Sequence, residues 1–172
     1  MFVNIVPRKI LPDKLIKMID AAYVSIDSLA QKYIGIINKV STFDKDVMFL
    51  VIFGLRGFKQ ESESARALKC AHAVHNMVLR LEDIKSVSVG VTTGMAYCGI
   101  VGHTQRKEYT VIGATVNKAA RIMCAYPNII TCDQNTYLHS KMPTNLFILQ
   151  ETRELKGIGN VGAIYEYKEQ MQ

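Results

Sequence analysis

The stretch 108–121, which reads EYTVIGATVNKAAR, constrains the fold of this chain more than any other part of it. Residues 109–112 are aromatic or β-branched, which predicts a short buried strand. Gly113 interrupts this strand, and Thr115 is suited to cap the helix that follows. Small alanines within that helix would let it lie close to a sheet.

The predicted helix carries a polar pair on one face. Asn117 and Arg121 are four residues apart, so their side chains leave the same side of the helix. Such a pair is common on solvated helix surfaces. A rigid helix that presents an amide and a guanidinium together also suits an anionic ligand that bears hydroxyl groups.

The length and composition fit a single globular domain that spans residues 1–172. Hydrophobic residues make up 49% of the chain and charged residues 21%, a balance that can bury a core. No apolar run approaches the ~20 residues of a membrane span. The chain starts abruptly at strand-like residues without a leader, so we expect an excised domain or a fragment of a longer protein.

The charge and cysteine patterns restrict the partners and the compartment. The formal net charge is +6, but basic residues are scattered among acidic ones, so we do not expect nucleic-acid binding. The spacing of the four cysteines matches neither a zinc knuckle nor a redox pair. Free thiols in a reducing cytoplasm are therefore expected.

Apolar periodicity along the first half of the chain predicts the order β-α-β-β-α-β. This order gives an α+β fold, namely a ferredoxin-like core with an antiparallel sheet and its helices on one face. A C-terminal extension follows the core. The residues behind this prediction are strands 1–6, 36–40, 47–53 and 87–91, a long helix after residue 12, and a second helix after Ser62 or Ser64.

The stretch 109–121 resembles the signature of class III nucleotidyl cyclases, in which a strand leads into Val-Ile-Gly, then Val-Asn, then Ala-Ala-Arg. The likeness extends over residues 2–167. It includes the pair Asn38-Lys39, the segment 98–102 and the closing Leu-Lys-Gly of residues 155–157. The class III cyclase fold is a ferredoxin-like core extended at its C-terminal side, as the element order predicts.

This resemblance implies an active site at the interface of two cyclase domains. In the family, the ribose 3′-oxygen attacks the α-phosphate of a nucleoside triphosphate and pyrophosphate leaves. Matching positions imply that Asn117 holds the ribose and that Arg121 stabilises phosphoryl charge. The partner domain would be a second class III cyclase domain, in the same or another chain, and would bring Mg²⁺ or Mn²⁺.

Lys39 and Thr110 match the two positions at which adenylyl cyclases read the base. The Lys39 ammonium only donates hydrogen bonds, and adenine offers an acceptor at N1. The Thr110 hydroxyl can accept from the adenine amino group. Guanylyl cyclases carry an acidic residue at the lysine position, so the resemblance implies ATP rather than GTP.

The metal positions of the family are only partly matched. Asn4 stands where an aspartate usually provides the first metal ligand, and an amide is a poor ligand for magnesium. The second position falls in the turn that contains Asp44 and Asp46, and the sequence does not choose between them. We therefore predict no metal site in this chain and assign it to the base-recognising half. The alternative is a non-catalytic, cyclase-like regulatory or nucleotide-binding domain.

Overall fold

The computed structural model describes residues 1–9 and 11–169, so the predicted domain boundary at residue 172 lies outside it. The helices it describes are α1 (Pro12–Lys32), α2 (Glu63–Leu79), α3 (Ala114–Ala125) and α4 (Gln134–Ser140), and a short 3₁₀ turn covers Thr144–Leu146. The strands are β1 (Phe2–Pro7), β2 (Gly35–Phe43), β3 (Asp46–Phe53), β4 (Ile84–Val91), β5 (Tyr97–His103), β6 (Arg106–Ile112), β7 (Ile130–Asp133), β8 (Phe147–Leu149) and β9 (Ile164–Tyr167). None of the helices described here is long and apolar enough to cross a membrane.

The main sheet contains the predicted core and its extension. Its strand order is β2-β3-β1-β4-β7-β9-β8. The first four strands pair antiparallel, which is the ferredoxin-like arrangement that the element order predicts. Strand β7 then joins β4 in parallel, so the complete sheet is mixed rather than antiparallel throughout. The predicted α+β fold is confirmed.

Helices α1 and α2 cover one face of this sheet and form the main hydrophobic core with it. The alternation of strand residues explains the arrangement, because every second side chain points to the same face. The buried sheet residues on this face include Val3, Ile5, Phe49, Val51 and Val89, and the helices contribute Ala22, Ile26, Leu68 and Ala71.

The two helices of the predicted core, α1 and α2, lie on one face as expected, and helix α3, which follows that core, packs on the opposite face of the sheet. Gly90 lies between two core valines on β4 and faces α3. A Cβ atom at Gly90 would collide with the carbonyl oxygen of Ala119 and lie 3.0 Å from the Cβ of Met123. The absence of a side chain at residue 90 therefore lets α3 approach the sheet closely.

Strands β5 and β6 form a separate two-stranded ribbon. The prediction of a buried strand at residues 109–112 is correct for the strand and wrong for the burial. Val111 is buried, but Tyr109 and Ile112 are exposed. The ribbon lies outside the main sheet, and several of its apolar side chains are exposed at the surface.

The start of α3 also differs from the prediction. The helix begins at Ala114, and Gly113 occupies the cap position without a side-chain hydrogen bond. Thr115 lies inside the helix and does not cap it. Its hydroxyl instead contacts the hydroxyl of Thr92 at 3.2 Å, and the Thr92 hydroxyl donates to the Thr115 carbonyl at 2.7 Å. These bonds fasten the first turn of α3 to the end of β4.

Candidate functional site

The face of the sheet that carries α3 also carries the predicted polar residues of strands β1, β2 and β3. On β1, Val3 and Ile5 enter the core, so Asn4 points to the α3 face. On β3, Val47 and Phe49 enter the core, so Asp46 points to that face as well. We call this side of the sheet the α3 face.

A β-bulge at Asn38 places Lys39 on the α3 face. Ile37 is opposite Val51, whereas Lys39 is opposite Leu50, so Asn38 has no partner of its own in β3. If Asn38 instead paired with Leu50 in a regular ladder, Lys39 would lie opposite Phe49 and point toward α1 and α2. Bulges commonly redirect side chains beside functional sites.

The bulge also connects β2 to the ribbon. The Asn38 side-chain amide donates to the carbonyl oxygen of Tyr109 at 3.0 Å. The Lys39 ammonium lies 4.0 Å from a carboxylate oxygen of Glu108. The structure therefore brings Lys39 next to the strand that carries Thr110, as the assignment of both to base recognition requires. Sequence reasoning gave no role to Asn38 or Glu108, since their contacts join residues about seventy positions apart.

Asn117 and Arg121 are exposed on α3, which begins directly after the ribbon. Besides its close packing against Gly90, helix α3 makes two polar contacts with the rest of the fold. Its first turn is fastened to Thr92, and the Lys118 ammonium lies 3.6 Å from the buried carboxylate of Asp133. Asp133 also caps α4 by accepting from the Thr136 backbone amide at 3.0 Å. The two predicted residues therefore project from a fixed helix.

The charges of Arg121 on α3 and of Asp46 on β3 both affect the thiol of Cys124, near the end of α3. Burial raises the pKa of the Cys124 thiol, Arg121 opposes this shift, and Asp46 adds to it. Both charges therefore act on the same thiol across the α3 face.

Asn4, which the resemblance aligns with the first metal position, contacts Asp46 directly. The Asn4 amide nitrogen donates to an Asp46 carboxylate oxygen at 2.8 Å. The Asn4 carbonyl oxygen is buried without a hydrogen-bond partner. The bond between Asn4 and Asp46 shows that Asp46 reaches β1, whereas Asp44 occupies a left-handed turn position at φ 55°.

This pair does not fit the two divalent cations that the family implies. It supplies one carboxylate and one neutral amide, and hard cations need several anionic oxygens. In the described parts of the chain, no three histidine, cysteine, aspartate or glutamate side chains gather as a metal site.

A cavity of about 310 Å³ lies between the end of β3, the start of α2, the ribbon and the first turns of α3. Its lining includes Phe53, Ser64, Thr93, Cys98 and Val116. The four predicted site residues are not among the lining residues. Lys39, Asn117 and Arg121 are exposed, and Thr110 is half-buried.

The fold and the arrangement of this face define a nucleotidyl cyclase domain. The chain belongs to the family described as "Adenylate and Guanylate cyclase catalytic domain", which it matches over residues 1–167. It is 44% identical to adenylate cyclase type 10 of Homo sapiens over 149 residues, which are 87% of this chain and 9% of that protein. It is 43% identical to adenylate cyclase type 10 of Mus musculus over 148 residues, again 9% of that protein. The chain therefore corresponds to a small part of the length of these relatives.

Solved structures of other cyclases share the fold. The adenylyl cyclase CyaB from P. aeruginosa superimposes with a TM-score of 0.78 at 19% identity, covering 99% of this chain and 94% of that one. The guanylate cyclase domain of RhGC from Catenaria anguillulae, in complex with GTP, gives a TM-score of 0.77 at 19% identity, covering 99% and 96%. The class III cyclase fold predicted from the sequence is confirmed.

Proposed function

We propose that this chain is the base-recognising half of an adenylyl cyclase. It converts ATP to 3′,5′-cyclic AMP and pyrophosphate at an interface with a second, metal-binding cyclase domain. The observation that carries the proposal is the bulge at Asn38, which turns Lys39 toward the strand of Thr110 on an exposed face. The identity to proteins named adenylate cyclase type 10 supports the same assignment.

In this proposal Lys39 and Thr110 select the base. The Lys39 ammonium donates to adenine N1, and the Thr110 hydroxyl accepts from the adenine amino group. Guanine has a donor at N1 and a carbonyl at C6, so it would face Lys39 and Thr110 with the wrong groups. An unpaired polar group in a covered pocket strongly disfavours the wrong base.

Asn117 and Arg121 act on the ribose and the phosphates. The Asn117 amide holds the ribose so that its 3′-oxygen lies in line with the α-phosphorus. This oxygen forms a bond to the α-phosphorus as the bond to the bridging oxygen of pyrophosphate breaks, and the 3′-hydroxyl loses its proton. The Arg121 guanidinium donates to the phosphoryl oxygens on which negative charge accumulates.

The second cyclase domain completes the site. Since Asn4 and Asp46 do not form a two-carboxylate set, we assign the binding of Mg²⁺ or Mn²⁺ to carboxylates of that domain. Apolar side chains are exposed around the α3 face and the ribbon, and a partner would bury them. They are Phe43, Tyr97, Val101 and Ile112. We place the assembled enzyme in the cytoplasm, where its four free thiols stay reduced.

A second candidate function is favoured by one observation. Asn4 occupies a metal position with a neutral amide, which would also suit a regulatory domain that binds a nucleotide without turnover. The two functions differ in product formation, because only the first yields cyclic AMP when metal ligands are supplied by a partner.

The deciding experiment mixes the purified chain with a metal-competent cyclase domain and supplies ATP and GTP in parallel. Cyclic AMP should form well above cyclic GTP, and Arg121→Ala in this chain should lower its formation on the order of 10²- to 10³-fold, which excludes a contaminating cyclase. Nucleotide binding without any cyclic product in the mixed sample would instead establish the regulatory function.

A further inference from the structure

We infer that Asn38 and Glu108 are positioning residues that set the base preference by holding Lys39 in place. This inference rests on the proposed function, in which Lys39 reads the adenine ring. It adds that substrate choice depends on a carboxylate and an amide that do not touch the substrate. Two contacts between β2 and the ribbon carry the argument.

The first contact fixes the ribbon relative to β2. Strands β2 and β6 belong to different sheets, so no backbone ladder joins them. The Asn38 side chain crosses this gap and donates to the carbonyl of Tyr109. Because that carbonyl lies between Glu108 and Thr110 in sequence, the bond fixes the position of both relative to Lys39.

The second contact fixes the direction of the lysine. A lysine side chain has several rotatable bonds and samples many positions unless its ammonium has a partner. Glu108 supplies that partner at 4.0 Å. The ribbon pairing puts Glu108 opposite Val101 and Thr110 opposite Gly99, so Glu108 and Thr110 share one face of β6. The ammonium is therefore held on the same face as the threonine hydroxyl.

The exposure of this pair indicates a role in recognition rather than folding. The side chains of Lys39 and Glu108 are 59% and 55% exposed. Exposed ion pairs contribute little to stability. Once a base and a partner domain cover them, water is excluded and the attraction between the two charges becomes stronger. The effect of losing Glu108 should then appear in substrate use and not in unfolding.

The test uses the complemented enzyme, that is, this chain mixed with a metal-competent cyclase domain. Glu108→Gln keeps the shape of the side chain and removes its charge. We expect the KM for ATP to rise about 2- to 5-fold and the ratio of ATP to GTP use to fall, with kcat for ATP little changed. Asn38→Ala should shift KM in the same direction. Glu82→Gln, at an exposed glutamate in the turn between α2 and β4, is the matched control and should change neither quantity.

A charge exchange separates positioning from a general structural effect. Lys39→Glu should favour GTP, whose N1 donates, but Glu108 would repel the new carboxylate. Adding Glu108→Lys should therefore raise GTP use about 2- to 5-fold over the single Lys39→Glu variant. The same Glu108→Lys change in the parent chain should lower ATP use, because it places two ammonium groups together. A merely structural role for residue 108 would give the same sign in both backgrounds.

The outcomes distinguish this inference from the proposed function. Suppose that the unmutated complemented enzyme makes cyclic AMP with a preference for ATP, while all variants at residues 38 and 108 match the parent. Only the positioning roles are then refuted. If Glu108→Lys lowers the use of both nucleotides equally in both backgrounds, the positioning roles are refuted as well. If the unmutated complemented enzyme makes no cyclic AMP, both the proposed function and this inference are refuted.

Discussion

Among the side chains of the proposed site, Arg121 is expected to contribute most to kcat. It is exposed on a helix fastened to the sheet, so a guanidinium at this position is available to phosphates without rearrangement. Arg121→Ala should lower kcat of the complemented enzyme on the order of 10²- to 10³-fold, because the charge it meets develops in the transition state. The KM for ATP should change little, as steady-state kinetics would measure.

The conservative variant Arg121→Lys is the control for charge alone. It keeps the positive charge but loses the forked geometry of the guanidinium, so its kcat should lie between those of the parent and the alanine variant. A raised KM with unchanged kcat in Arg121→Ala would show that the arginine binds the ground state, contrary to its assigned role.

Lys39→Glu tests base recognition. The change replaces a donor with an acceptor opposite the N1 atom of the base, so the preference for ATP should weaken by about 1–3 kcal/mol in the ratio of kcat/KM values. Competition assays with both nucleotides present measure this ratio directly. Equal use of ATP and GTP by the unmutated complemented enzyme would contradict the assignment of Lys39 and Thr110.

At the residue scale, the sequence suggested chemical roles but not the contacts between distant residues. Lys39, Thr110, Asn117 and Arg121 were proposed from a local signature, and their roles stay predictions. Thr115 was expected to cap α3, but its hydroxyl bonds to Thr92 instead. That bond, like the one between Asn38 and Tyr109, joins distant parts of the chain, and local patterns carry no information about such pairs.

The packing of α3 against β4 is the feature of element scale on which the site depends. Gly90→Ala should destabilise the protein by about 1–3 kcal/mol, because the added methyl group meets the Ala119 carbonyl and the side chain of Met123. Urea unfolding measures the loss. Activity of the complemented enzyme should also fall, since any shift of α3 moves Asn117 and Arg121.

Gly159→Ala is the matched control for this prediction. Residue 159 lies in an open loop, and a Cβ there would meet no atom within 4 Å. Its unfolding midpoint should therefore equal that of the parent. Equal midpoints for the Gly90 and Gly159 variants would mean that α3 does not approach the sheet as closely as described.

The ribbon should contribute to binding the partner domain. Tyr97 is 62% exposed on the same ribbon face as Thr110, opposite Ile112. Aromatic side chains often dominate such interfaces, so Tyr97→Ser should weaken association roughly tenfold or more, as measured by titration calorimetry. Leu149→Ser, on the edge strand β8 at the far end of the sheet, should leave association unchanged. Equal weakening by both variants would place the interface elsewhere.

At the element scale, periodicity predicted which segments form strands and helices, and it did so because this signal is local. It did not predict which ribbon residues are buried, since a run of aromatic and β-branched residues has the same sequence pattern in a core strand and in an exposed one. Residues 109–112 show this: the strand is present, but Tyr109 and Ile112 are exposed.

The whole molecule should be inactive by itself. In a symmetric pair of this chain, Asn4 would occupy the first metal position of both sites, and each site would have only Asp46 as a carboxylate. We therefore expect no measurable cyclic AMP from the purified chain in Mg²⁺ and ATP, even where it self-associates. Sensitive immunoassay of cyclic AMP is the measurement, with the complemented enzyme as the positive control.

One result would refute this expectation. Production of cyclic AMP by the chain alone, abolished by Arg121→Ala, would mean that the metal half is not missing. If the metal-competent domain instead restores activity, the inactivity of the chain alone and its activity in the mixture both follow from a site formed by two different halves.

At the scale of the whole chain, the order of elements predicted the ferredoxin-like half, because consecutive hairpins and crossovers leave few arrangements. The side on which α3 packs was not predictable in the same way. The close approach of α3 to the sheet needs the missing side chain at Gly90, and nothing in the local pattern of β4 says which neighbour needs that space.

The bulge at Asn38 interrupts the ladder of β2 and β3, but it also places Lys39 for its proposed role in base selection. If Asn38 instead paired with Leu50, β2 and β3 would pair without interruption beyond Ile37, which would make a more regular ladder. The same register would turn Lys39 away from the ribbon and toward the helices of the core. Screening variants of this domain for folding strength alone would therefore reward the loss of its choice of nucleotide.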